Sequence, residues 1–334
     1  MENTNFKLLN IKNLIFNITQ IKDKKICLMV KANAYGHGIK EIVKASNNLV
    51  WGYGVVNMQE AIQVRKYTQK RIIIFAPTIE YEVCKSKKFE FFVDSELGLK
   101  EAIENGCQNL IHLAINVGMN RYGVKSEIEL SNINKILAEN RIRLKSIYTH
   151  FPITSNHVKT NKAYQKFLKM RKLITQEVPI CLGGSEVKNY KFDYDILRLG
   201  IDAYGYGKDT KKVMHIFSNV IKINYVYKGE YVGYGKKYKE RRGNYIAVVP
   251  VGYGDGLMRR LSNKFKVKIN GIKYHAVGNI CMDCFFVKID RSVKVGDKVQ
   301  VMFDADYLAK IAKTIPYEVL TNFSLLRGTT ILNY

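Results

Sequence analysis

Eight short apolar, β-branched runs in the first two hundred residues constrain this chain more than any other feature. They fall at 26–30, 52–56, 72–75, 89–93, 110–115, 144–149, 178–182 and 196–199. Helix-length segments separate most of them, at 58–66, 96–104, 128–139 and 158–175, and the last carries the helical stripe Tyr164, Phe167, Leu168 and Ile174. The link between the seventh and eighth runs has the weakest helical pattern. Eight alternating β and α units predict an α/β fold built as a (β/α)8 TIM-type barrel, because a doubly wound sheet usually stops at about five to seven strands. A barrel gathers the C-terminal ends of its strands on one rim. Lys31, Arg121, His150, Ser185 and Arg198 all sit at or just beyond such ends, so five polar residues are expected to converge there.

After about residue 212 the texture changes. Short strand patterns at 220–227, 231–233, 245–251, 265–269, 281–289 and 298–303 alternate with turns such as Lys228-Gly229-Glu230 and Val295-Gly296-Asp297, and helical patterning is sparse. The expected organisation is a barrel over 1–212 and a mainly β C-terminal domain over 213–334. Two domains suit 334 residues, since a single core rarely grows past roughly 250 to 300.

Composition narrows the function classes. No apolar stretch approaches the roughly 20 residues a membrane span needs, and residues 1–7 lack a secretory signal's apolar segment, so a cytoplasmic protein without a membrane partner is expected. Six scattered cysteines then read as reduced thiols. Cys281-Met282-Asp283-Cys284 has the C-x-x-C spacing but no second pair, which favours thiols packed in a strand over a metal site; no metal is expected. A net charge of +25, from 54 basic and 29 acidic residues, invites a nucleic-acid reading. Its distribution argues against one, because lysines such as Lys162, Lys166, Lys169 and Lys172 look like the solvated face of a helix. Lys40, Lys236 and Lys237 favour anionic small molecules instead.

Particular residues carry chemistry. Lys31 ends the run Ile26-Cys27-Leu28-Met29-Val30, where burial should lower its pKa and free its amine to form a Schiff base with a carbonyl. Arg198 lies between Leu197 and Leu199; since a buried guanidinium is expensive without partners, it should face a polar interior while its neighbours pack outward. His150, taken alone, reads more readily as a structural histidine than as a site residue. Gly183 and Gly184 before Ser185, and Gly200-Ile201, lie after strands seven and eight where barrels commonly bind phosphate. Tyr253, in Gly252-Tyr253-Gly254, follows an apolar run and is flanked by glycines that permit close approach. A tyrosine that works as a base needs cations and donors around it.

The stretch Val30-Lys31-Ala32-Asn33-Ala34-Tyr35-Gly36-His37-Gly38 resembles the pyridoxal 5'-phosphate attachment motif of alanine racemases. The resemblance extends over nearly the whole chain through Tyr234-Gly235-Lys236-Lys237-Tyr238, Gly252-Tyr253-Gly254-Asp255-Gly256-Leu257 and Gly278-Asn279-Ile280-Cys281-Met282-Asp283. It implies that Lys31 holds pyridoxal phosphate and serves the D face of the substrate, while Tyr35 binds the cofactor phosphate with Ser185, Gly200 and Ile201. By the same resemblance Arg198 donates to the pyridine nitrogen, with His150 in the cofactor site, and Arg121 meets the cofactor's phenolic oxygen and the substrate carboxylate. Tyr253 becomes the opposing acid/base, reaching the cofactor of the other subunit in a homodimer with shared active sites, and Met282, supported by Asp283, meets the substrate carboxylate through its backbone. The implied activity is two-base interconversion of L- and D-alanine, supplying D-alanine for cell-wall peptidoglycan; the alternative is a serine or broad-specificity racemase of the same fold.

Two departures stand out. Ala114 occupies the place of a lysine that several relatives carbamylate to orient the arginine matched by Arg121, so that Asn116 or a bound anion would have to take over. Leu325 is read as standing where many relatives place a pocket tyrosine.

Overall fold

Every one of the eight expected runs forms a strand, and together they close on themselves. The computed structural model describes residues 5–77 and 80–334. After an opening strand β1 (Phe6–Asn10), the barrel runs β2 (Lys25–Met29), β3 (Gly52–Val55), β4 (Arg71–Ile74), β5 (Glu90–Val93), β6 (Ile111–Ile115), β7 (Ile147–His150), β8 (Ile180–Gly183) and β9 (Ile196–Leu199). Neighbouring strands pair in parallel, and β2 pairs with both β3 and β9 to complete the closed barrel. Because helices cover the outside and side chains fill the inside, β3, β5, β6 and β9 are buried along their whole length. That double burial is why the sequence shows continuous apolar runs there rather than alternation.

The helices begin where short polar side chains can cap them. Asn57, Ser95, Ser126 and Asn156 each accept the backbone N–H three residues on, opening Met58–Arg65, Glu96–Glu104, Glu127–Glu139 and His157–Lys172. Each such cap stabilises its helix by about 1 kcal/mol. Between β8 and β9, where the helical pattern was weakest, the chain makes only a 3-10 turn, Ser185–Asn189.

The second sheet has nine strands. It comprises β10 (Met214–Asn219), β11 (Lys222–Val226), β12 (Asn244–Val249), β13 (Lys266–Ile269), β14 (Ile272–Val277), β15 (Phe285–Ile289), β16 (Lys298–Met302), β17 (Thr329–Asn333) and β1, in the order β11-β12-β15-β14-β13-β16-β10-β1-β17. Its pairs are antiparallel except β1 with β17. Here burial alternates, as in β10 and β15, because one face packs and the other meets water.

Several expectations for this region are corrected. Strand β1 lies within the stretch assigned to the barrel, yet it pairs with β10, where the Phe6 and Phe217 rings stack at 5.1 Å. Residues 231–233 form no strand; Tyr231 makes one isolated bridge to Lys239. The strand expected from 281 begins only at Phe285, because the carbonyls of Cys281 and Met282 accept the N–H groups of Tyr253 and Gly254 instead of a ladder. Two helices, Ala305–Ala312 and Pro316–Asn322, occupy a segment read as poor in helix; Asp304 caps the first and Pro316 opens the second.

Candidate active site

The backbone that follows β2 is the most strained in the molecule. Ala32, Asn33 and Ala34 lie near φ 50–53° and ψ 50–53°, and Tyr35 continues at φ 53°, giving one turn of left-handed helix made of non-glycine residues. Each such residue costs roughly 1–2 kcal/mol, so the surroundings must hold it. The Glu60 carboxylate accepts the Ala32 N–H at 2.7 Å and the Val56 N–H at 2.9 Å. Asn33 Oδ1 accepts the Ile39 N–H at 2.9 Å, and the Lys7 ammonium donates to the Gly36 carbonyl. Behind the turn the His37 ring lies 4.5 Å from that of Tyr204, whose hydroxyl donates to the Met29 carbonyl. A Cβ on Gly36 would overlap the Leu320 carbonyl, so the turn is pressed against the helix Pro316–Asn322.

This turn presents Lys31 to a cavity of about 440 Å³ at the C-terminal rim of the barrel. Tyr35, Arg121, His150, Ser185, Arg198, Gly200 and Ile201 line the same cavity, so every residue expected on the rim is gathered there. Burial, followed by the nearby Arg121 and Arg198 cations, pulls the Lys31 pKa below its ordinary value. Burial, reinforced by Arg198, Arg121 and Lys31, lowers His150 to about 3, so its imidazole is neutral.

Arg198 is held by register. Gly183 pairs with Arg198 across β8 and β9, and a Cβ at Gly183 would overlap the guanidinium, so only glycine lets the arginine pass. Its Nη2 donates to the Thr149 carbonyl at 2.6 Å and to His150 Nδ1 at 3.4 Å, while Phe75 and Tyr148 flank it at 4.8 and 4.7 Å. Leu197 and Leu199 are fully buried on the other side of the strand, as the alternation predicted. Arg198 Nε is buried without a hydrogen-bond partner.

In the same cavity the Tyr35 and Ser185 hydroxyls converge on Gly200. Ser185 Oγ accepts the Gly200 N–H at 2.8 Å, and a Cβ on Gly200 would sit 2.9 Å from the Tyr35 hydroxyl and 3.6 Å from Ser185 Oγ. The arrangement fits pyridoxal phosphate. It offers an amine for the aldehyde at Lys31 and a donor for a ring nitrogen at Arg198, and Tyr35, Ser185 and the Gly200-Ile201 turn supply a phosphate cradle. A buried unpaired guanidinium N–H is costly unless an acceptor completes it.

Arg121 is exposed at the cavity edge with its guanidinium 5.5 Å from the Tyr122 ring. Asn116 does not grip that guanidinium. Its Oδ1 accepts the N–H groups of Gly118 at 2.9 Å and Asn120 at 3.2 Å, shaping the loop that carries the arginine. Leu325 is 61% exposed and lines no part of the cavity. Tyr317 lines it instead, with its ring 5.9 Å from Tyr35. Nothing in the sequence pattern marks Tyr317, because only the packing of its helix on the Gly36 turn brings it to the rim.

Tyr253, Met282 and Asp283 are not in this cavity. They form a separate surface cluster in which Tyr253 is 40% and Met282 55% exposed. The Tyr253 N–H donates to the Cys281 carbonyl at 3.0 Å and the Gly254 N–H to the Met282 carbonyl at 2.9 Å, so the two loops are stitched together. Cys281 and Cys284 are free and sit in this loop rather than in a strand.

Known proteins resemble the whole chain. The family models "Alanine racemase, N-terminal domain" and "Alanine racemase, C-terminal domain" match residues 9–208 and 213–327. A protein named alanine racemase from Clostridium kluyveri is 33% identical, over 93% of this chain and 90% of that protein. The fold matches the crystal structure of alanine racemase from E. faecalis at TM-score 0.93 and 23% identity, covering 99% and 98% of the two chains. It also matches alanine racemase from Bartonella henselae with covalently bound pyridoxal phosphate, at TM-score 0.90, 24% identity and 99% of both chains.

Proposed function

We propose, from the premise that the chain belongs to the alanine racemase family, that Lys31 and Tyr253 are the two acid/base groups of its reaction. The reaction is interconversion of L- and D-alanine with pyridoxal phosphate as cofactor. When bound, pyridoxal phosphate supplies an electron-withdrawing ring that makes the substrate Cα–H acidic. The residues of the chain do the rest.

Burial and two neighbouring cations destabilise the Lys31 ammonium, so its amine is available to take a proton. Arg198 offers Nε–H to the ring nitrogen. A guanidinium does not surrender its proton, so Arg198 would leave that nitrogen unprotonated and limit the ring's pull on electrons from Cα. Neutral His150 accepts from Arg198 and fixes its plane. Arg121 presents its guanidinium at the cavity edge, where a substrate carboxylate can be met. Lys31 serves the D face and Tyr253 the L face.

The observation that carries this reading is the division of the site. The cavity that fits the cofactor is lined without Tyr253, Met282 or Asp283, and the glycine-flanked tyrosine stitched to Met282 lies exposed outside it. The reading is that the chain works as a homodimer in which Tyr253 and Met282, with Asp283, complete the partner's cavity. Residues 1–212 then act as the cofactor-binding half and 213–334 as the half that serves the partner, with β1 crossing between them. The reading puts this work in the cytoplasm, where D-alanine is needed for peptidoglycan precursors.

Mixing tests the shared site. Lys31→Ala and Tyr253→Phe proteins are each expected to be inactive, and subunit exchange should restore about one quarter of wild-type activity, because half the dimers carry one intact site of two. No recovery on mixing, or full activity of Tyr253→Phe, overturns the assignment. The Tyr253→Phe protein should keep the cofactor's visible absorbance.

A further inference from the structure

Arg327 lies just before β17, at the end of the chain's last turn, and no part of the motif pattern gives it a role. Its side chain nonetheless joins the two loops that present Tyr253 and Met282. Nε and Nη2 donate to the two oxygens of Asp255 at 2.8 and 2.9 Å, and the Arg327 backbone N–H reaches Asp255 Oδ1 at 3.3 Å. Nη1 pairs with Asp283 at 2.9 Å. Asp255 is fully buried, two residues after Tyr253, and its Oδ2 also accepts the Gly252 N–H at 2.9 Å. Asp283 directly follows Met282.

We propose that Arg327 is a positioning residue for the Tyr253 hydroxyl, its guanidinium acting as a rigid clamp between the Gly252–Asp255 turn and the Met282–Asp283 loop. This rests on the reading of Tyr253 as the L-face base. The geometry suits the task. Arginine's planar fork makes two fixed bonds to one carboxylate and still has a third direction for another, which an ammonium cannot copy. A Cβ on Gly254 would lie 3.1 Å from the Met282 carbonyl and 3.3 Å from Arg327 Nη2, so the guanidinium and the Met282 loop close on the residue after Tyr253 from two sides. Burial alone would raise the Asp255 carboxyl, but the bonds from Arg327 and Gly252 outweigh it and hold the group below the usual carboxylate range. Asp255 is therefore an anion at neutral pH, and without Arg327 it would be buried and poorly paired. The turn would then move to hydrate it.

At saturating D-alanine, which offsets any loosening of the Met282 contact to the substrate carboxylate, such a shift changes one face of the reaction only. Lys31 sits on the other cluster, so with Arg327→Ala it should still remove the α proton of D-alanine and return a solvent deuteron to the same face. The experiment follows D-alanine in D2O with the cofactor-loaded enzyme, recording deuterium at Cα in retained D-alanine and inversion to L-alanine side by side. Arg327→Ala is expected to lower inversion by roughly 10²-fold while exchange stays within about threefold of wild type, the scale expected of a misplaced catalytic group. Arg327→Lys should recover part of the loss, leaving inversion about tenfold down. Equal loss of exchange and inversion would make Arg327 merely structural, and no loss of either would remove it from the site. If Arg327→Ala does not fold, the lysine variant carries the test, and inversion at the wild-type rate in it overturns the proposal. Tyr253→Phe separates the two claims: inversion retained there defeats the reading of Tyr253, whereas inversion lost there but kept in Arg327→Ala defeats only the clamp.

Discussion

The barrel rim and the Tyr253 surface, proposed to carry the two acid/base groups, fix them by different physical means. At the rim, Lys31 is set on a left-handed turn held from behind by Glu60, Lys7 and the helix Pro316–Asn322, and it is surrounded by Arg121, Arg198 and neutral His150. Burial and charge have already tuned the group before any substrate arrives. On the Tyr253 surface the backbone is equally well fixed, through Asp255, Arg327 and the Met282 carbonyl, but the side chain stands in solvent. The rim's groups are gathered within a single chain; the Tyr253 surface is preorganised in its backbone, with its side chain left open for the second chain that the proposed shared site requires.

The sharpest way to break this contrast is to remove the tuned group. Lys31→Ala should lower racemisation by about 10⁴-fold or more and abolish deuterium exchange into D-alanine as well, since both a nucleophile and a base disappear. A variant that still exchanged would show that the rim does not hold the D-face base.

Glycine substitutions compare the clusters directly. In Gly183→Ala the new methyl overlaps Arg198, and relieving such overpacking costs about 1–3 kcal/mol. A displaced Arg198 should weaken cofactor binding by roughly 10- to 100-fold, read by titrating visible absorbance. Gly254→Ala, on the other surface, should leave cofactor affinity unchanged and slow inversion only. The reverse pattern would exchange the roles of the two regions.

Acid stability gives a third comparison. His37, buried behind the Lys31 turn, is pulled down to about 3 by burial and then by Lys7, against backbone bonds that favour its charge. Its folded pKa lies below the ordinary 6.5, so the unfolded chain binds the proton first. The stability this contributes is full above about pH 6.5 and is lost as pH falls toward 3, by about 1.4 kcal/mol per pH unit. Denaturant unfolding at pH 7, 6 and 5 should show a loss to which His150, lowered likewise, adds its own share, and His37→Gln should make it shallower without removing it. An identical slope in the variant would rule His37 out as a source.

The smallest effects concern the pocket tyrosine. Tyr317→Phe should weaken the site by about three- to tenfold, on the scale of one lost hydrogen bond. Leu325→Tyr, at an exposed position, should change kcat/KM by no more than about twofold. A larger effect of Leu325→Tyr would restore the role that the sequence alone suggested for that position.

Much of this was legible in the residues. The barrel strands matched their apolar runs to within one to three residues at either end, because strands buried on both faces carry a dense local signal and their helices start at Asn or Ser caps. The gathering of Lys31, Arg121, His150, Ser185 and Arg198 in one cavity was likewise readable, since barrel geometry turns strand ends into neighbours, whereas Tyr35 was marked only by the resemblance. Strand β1 was not, because its partners β10 and β17 lie some two and three hundred positions away. The loop at Cys281 misled for a related reason: its pattern is that of a strand, but its carbonyls are taken by Tyr253 and Gly254.

The sequence by itself determined what depends on neighbours along the chain: the alternation of strands and helices, the lysine at a strand end, the arginine between leucines. Tertiary structure decided what depends on residues far apart. It set the support beneath the left-handed turn, the entry of Tyr317 rather than Leu325 into the cavity, the glycine opposite Arg198 and the clamp joining Asp255 to Arg327. Periodicity and capping are local energies that a short window contains, whereas a contact between positions 35 and 317 exists only once two packed sheets have fixed where each segment lies.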